Sequence, residues 1–100
     1  MLIRKELLFM MESYLWTNLP IQMISCTDTT GKITPIRFRF VDRDGERVTV
    51  NVERIIDSDQ KPNGLGASFT CAATFFGSEK LFYLYYSGFS GKWSICKIGQ

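Results

Sequence analysis

The chain has 100 residues, 45% of them hydrophobic and 14% aromatic, which is the composition of a folded globular protein and excludes a disordered one. Its 12 basic and 10 acidic residues leave a net charge of +2, too balanced to mark a nucleic-acid or acidic-membrane binder by charge alone. The length suits one domain, able to bury something over ~60% of the surface its unfolded form exposes.

Ile3, Leu7, Met10, Met11 and Tyr14 recur at helical spacing between Arg4, Lys5, Glu6 and Glu12. This pattern predicts an N-terminal helix over 1–13, with the competing reading that Tyr14-Leu15-Trp16 already begins an extended segment. Pro20 requires any helix to have stopped by Asn18 or Leu19. The apolar run 7–11 is short, lies between Glu6 and Glu12, and precedes no small-residue cleavage site, so neither a secretory signal nor a membrane span is expected. Ile21–Cys26 follows as a first strand, closed by the turn signal Asp28-Thr29-Thr30-Gly31.

The next segment gives its register directly. Ile36, Phe38 and Phe40 alternate with Arg37 and Arg39, while Val48, Val50 and Val52 alternate with Arg47, Thr49 and Asn51. A type I turn with Gly45 in the left-handed region leaves Arg43-Asp44-Gly45 as the loop. That pairs Phe40 with Val48, Phe38 with Val50 and Ile36 with Val52, giving one apolar face. A slip of one residue would bury the arginines, so this register is specified strongly. Arg54 is placed opposite Thr34, and residues 57–66, rich in Asp, Ser, Pro, Asn and Gly, read as the longest loop.

A second hairpin, Ala67–Phe76 with Glu79–Tyr86, is expected to turn at Gly77-Ser78 in type II′ geometry. Ala73, Cys71 and Phe69 then pair with Phe82, Leu84 and Tyr86. On the opposite face Thr74, Ala72 and Thr70 meet Leu81, Tyr83 and Tyr85, so this hairpin has no fully polar side. A last strand, Lys92–Ile98, points Trp93 and Ile95 inward. The expected fold is therefore mainly β: a small six-stranded antiparallel barrel or strongly bent meander, SH3-like, with one N-terminal helix and strands across 20–98.

The stretches Pro35-Ile36-Arg37-Phe38-Arg39-Phe40, Asp42-Arg43-Asp44-Gly45, Val50-x-Val52-x-Arg54-Ile55-Ile56 and Trp93-x-Ile95-x-Lys97-Ile98 resemble a family of small uncharacterised bacterial β proteins over residues 14–98. The resemblance implies a small barrel and no activity, cofactor or catalytic residue. Where that family's pattern has charged residues, this chain has Tyr83 and Tyr85.

Two faces draw functional expectations. Leu81, Tyr83, Tyr85 and Ala72 form an apolar patch that either the N-terminal helix or a second copy across a two-fold axis would cover. Arg37, Arg39 and Arg47 form a basic face suited to single-stranded nucleic acid through phosphate pairing, although Glu53 shares it and no aromatic offers a stacking platform. Catalysis is not expected. With no histidine, acid–base work would fall to groups such as Asp42, Asp44 and Glu46, whose turn position explains them already. Ser87, Ser90 and Ser94 near Lys92 match no activated nucleophile, and Asn63-Gly64-Leu65-Gly66 lacks the setting of a phosphate loop. Cys26, Cys71 and Cys96 are odd in number and widely spaced, which fits reduced thiols in a cytoplasmic protein rather than metal ligands. No cofactor or metal is expected. The sequence reading is thus a non-enzymatic module working by protein contact, as a homodimer, with nucleic-acid binding as the alternative.

Overall fold

A computed structural model of the chain describes residues 19–42 and 44–99. Among them are seven antiparallel strands: β1 (Leu19–Thr27), β2 (Ile33–Val41), β3 (Arg47–Asn51), β4 (Arg54–Gln60), β5 (Gly66–Phe75), β6 (Ser78–Ser87) and β7 (Lys92–Gly99). The helix expected over 1–13 lies outside the described residues. The sheet order is β3-β2-β1-β7-β6-β5-β4, and the sheet curls into a half-barrel. One strand more is present than the sequence reading gave, and the addition is β4.

The β2–β3 hairpin forms as its alternation dictates. Phe38 pairs with Val50 and Phe40 with Val48, and the Val52 N–H donates to the Ile36 carbonyl at 2.9 Å. Gly45 sits at φ +80°, and its N–H donates to the Asp42 carbonyl. Asp42 locks the turn further, its Oδ1 accepting from the N–H groups of Asp44 and Glu46, both at 2.9 Å. The β1–β2 turn repeats this chemistry. Asp28 Oδ1 accepts from the Thr30 and Lys32 N–H groups and the Thr30 hydroxyl, with Gly31 at φ +90°. These three donors, the Thr30 hydroxyl first, hold the Asp28 carboxyl below its usual value of 3.8.

Ile36 departs from the expected face. Ile24 pairs with Arg37 but Ser25 pairs with Pro35, so Ile36 is the extra residue of a β-bulge. The bulge resets the alternation, burying Pro35 and leaving Ile36 47% exposed.

β4 takes the first four residues of the expected 57–66 loop. It pairs with β5 from Arg54↔Ala72 to Gln60↔Ala67, with a bulge between Ile55 and Asp57. Its side chains are almost all exposed, which is why no burial pattern announced it. Charges and a bulge at a sheet border are the usual means of keeping an edge from pairing indiscriminately. The Gln60 side chain reaches Ile33 of β2, accepting from its N–H at 3.2 Å and donating to its carbonyl at 3.4 Å. Arg54 accordingly does not face Thr34: it pairs with Ala72, and its guanidinium bonds Glu79 at 3.0 Å.

The two borders of the sheet, β3 and β4, are consecutive in the chain. Val52 still bonds β2, whereas the Glu53 N–H donates to the Ala72 carbonyl of β5 at 2.9 Å. A corner of two residues thus carries the backbone from one half of the curled sheet to the other.

The β5–β6 hairpin keeps its expected faces but not its expected pairs. Phe75 pairs with Ser78, Cys71 with Phe82, Phe69 with Leu84 and Ala67 with Tyr86. The loop is therefore Phe76-Gly77, with φ +51° and +81°, a type I′ turn rather than type II′ at Gly77-Ser78. Packing selects this register. In it Phe75 lies edge-on to Phe82 at 5.6 Å and 6.2 Å from Phe40, so the choice falls to contacts with the rest of the core.

The core lies between the two halves of the curl. Phe38 of β2 meets Phe82 of β6 edge-on at 5.3 Å, and Phe69 of β5 stacks on Trp93 of β7 at 5.6 Å. Ile95 and Ile98 complete it, Trp93 and Ile95 pointing inward as predicted. Each fully buried Phe, Leu or Val contributes roughly 1.5–3 kcal/mol. At the loop end, the Gly88 N–H donates to the Leu65 carbonyl, and a Cβ on Gly88 would lie 1.6 Å from the Gly64 carbonyl oxygen, so only glycine fits there.

Candidate functional site

The inward alternation of Phe38, Phe40, Val48 and Val50 leaves Arg37, Arg39 and Arg47 outward. Arg39 pairs with Thr49, Arg37 with Asn51, and Arg47 with Val41. On the other side β1 supplies Gln22 opposite Arg39 and Ile24 opposite Arg37. The three arginines border two shallow grooves that share Arg39: one of about 140 Å³ with Gln22, Ile24 and Thr49, the other of about 490 Å³ with Pro20, Val41 and Arg47. The ion pairs among the described residues are Arg54–Glu79 and Lys61–Asp59, and none engages these three arginines. Glu53, expected on this face, has left it: its Oε2 accepts from the Thr74 N–H at 3.1 Å. The result is a strip of positive charge without a carboxylate partner among the described residues.

The tyrosine face lies on the other half of the curl. Tyr83 and Tyr85 of β6 point outward beside Ser68 and Thr70 of β5 and Asp57 and Asp59 of β4, along a groove of about 310 Å³. Tyr85 is 37% exposed, and its hydroxyl lies over Gly66, where a Cβ would meet it at 2.7 Å. The Lys97 ammonium sits 5.4 Å from the centre of the Tyr83 ring. Leu81 and Tyr83 are half-buried. Ala72, between Arg54 and Leu81 in the ladder, is 0% exposed and offers no surface. The face is therefore a tyrosine centre in a polar surround rather than a wholly apolar patch.

The remaining polar groups have local tasks. Ser87 Oγ accepts from the Ser90 N–H, and Ser90 Oγ from the Lys92 N–H, so these serines shape the β6–β7 loop. Asn63 lies in a three-residue 3-10 turn, Pro62–Gly64, at φ +61°. Cys71 is buried among core residues, and burial pushes its thiol up to about 11. Cys96 is half-buried beside Tyr83 and Tyr85, and its thiol too is raised by burial, while Cys26 is exposed. Among the described residues no group of three His, Cys, Asp or Glu side chains is placed to hold a metal ion, and no helix is long and apolar enough to cross a membrane.

Comparison with known proteins finds no matching family model, no similar curated protein and no similar solved structure.

Proposed function

We propose that this chain is a non-enzymatic contact module that pairs with a second copy of itself through Leu81, Tyr83 and Tyr85. One observation carries the reading: two outward tyrosines on an interior strand of the sheet, ringed by Ser68, Thr70 and Asp57. Tyrosine at the centre with a polar rim is the anatomy of contact surfaces, because the ring packs while its hydroxyl finds a partner. Light scattering on the wild type at micromolar concentration should return the mass of a dimer. Tyr83→Glu should weaken association by about tenfold or more, with an unchanged circular dichroism spectrum. A monomeric wild type defeats the reading.

The alternative is single-stranded nucleic acid on Arg37, Arg39 and Arg47. The departure of Glu53 from that face favours it. The absence of an exposed aromatic beside those arginines among the described residues opposes it, because bases would lack a platform.

A further inference from the structure

The arginines stand in a row. Arg37 and Arg39 are two residues apart on β2, about 6.6 Å along the strand, and Arg47 lies opposite Val41 on β3, one such step further along and one strand (about 4.8 Å) nearer the edge. Beside the row the sheet stops among the described residues, for β3 is its border strand there. The hydrogen-bonded pairs of the hairpin follow from its two ends. Asp42 N–H donates to the Glu46 carbonyl and Val52 N–H to the Ile36 carbonyl, so Phe40 with Val48 and Phe38 with Val50 are the pairs that exchange bonds. The backbone groups of Arg47, Thr49 and Asn51 consequently point away from β2, along the open edge. These same three residues turn their side chains to the arginine face.

We infer that the β3 edge accepts an extended acidic segment of a partner protein, added as a further strand whose alternate carboxylates meet the arginine row. The inference rests on the reading of this chain as a contact module and names the partner's chemistry at a second surface. Three features converge on this occupant. The backbone donors and acceptors at 47, 49 and 51 fit a strand, the spacing of about 6.6 Å matches side chains two residues apart on a strand, and the charge is uniformly positive. Nucleic acid would use the charge but neither the edge nor a stacking surface.

The test is fluorescence anisotropy at low salt with labelled peptides of about ten residues. One alternates threonine and glutamate, and one holds the same residues in two blocks. The alternating peptide should bind at least about tenfold tighter than the block peptide, and Arg39→Glu should weaken it by about tenfold or more. Thr49→Pro removes an N–H from the open edge without touching the β2 ladder, and should abolish the preference for alternation. Should that variant unfold, an alternating peptide N-methylated along one edge asks the same of the untouched protein, and it should bind no better than the block peptide. Equal binding of both peptides, full binding of the N-methylated one, or binding of an oligothymidylate alone would each overturn the proposal. Tyr83→Glu should leave peptide binding unchanged and Arg39→Glu should leave the dimer mass unchanged, so the two readings fail separately.

Discussion

The hairpins β2–β3 and β5–β6 are built from similar parts and behave differently. Both are closed by a glycine at positive φ, Gly45 in one and Gly77 in the other. In the first, Phe38, Phe40 and Val50 are buried while Arg37, Arg39, Arg47 and Thr49 are exposed, so register and facing are specified by the same residues. In the second, both faces accept apolar side chains: Phe69, Cys71 and Phe82 inside, Ala72, Leu81 and Tyr83 outside. A slip of two residues there preserves every facing, and contact with the rest of the core has to make the choice. The polar face thus specifies local pairing, while the hairpin without one relies on long-range packing.

That difference can be broken from either side. The largest effect should come from Phe38→Ala, which empties a position touching both Phe40 and Phe82 and should cost about 3–5 kcal/mol in denaturant unfolding. Next is Asp42→Ala, which removes an acceptor of two turn N–H groups and should cost about 1–3 kcal/mol while leaving β5–β6 signals in an NMR spectrum in place. Phe76→Asn should change stability by no more than about 1 kcal/mol, because relief at φ +51° offsets the lost contact with Phe75. If Gly77-Ser78 were the loop instead, Phe76 would be a paired strand residue and the change would be plainly destabilising.

A further effect, confined to alkaline pH, is a pH dependence at Cys71. Burial favours its neutral thiol, so the folded chain keeps that proton after the unfolded chain has begun to lose its own near the usual 9.0. This contribution is fully present below 9.0 and is lost as pH rises toward about 11. Unfolding midpoints measured through that window should fall in the wild type and fall less in Cys71→Ala.

Much of the fold was legible because alternation and turn chemistry agreed. The Asp28 and Asp42 turns, the first hairpin and the inward Trp93 and Ile95 follow from local patterns. Ile36 was misplaced because a bulge is a property of two strands together, and its trigger, the pairing of β1 with β2, is absent from either alone. β4 was misread because Asp57, Ser58 and Asp59 favour turns in isolation and bury nothing as an edge strand. The arginine row could be read from alternation, but its open edge could not. Which strand borders the sheet depends on β1 pairing with β7, a connection between remote parts of the chain.

That pairing has a consequence for how the molecule is made. Leu19 lies opposite Ile95 and Ile21 opposite Trp93, so the first of the described strands is flanked by the seventh. On a ribosome β1 emerges early, joins β2, and must then wait with one border unsatisfied until β7 is released. Assembly of the curl is therefore expected to finish only once β7 is free to pair, and a chain arrested before residue 92 should present the apolar side of β1 to chaperones.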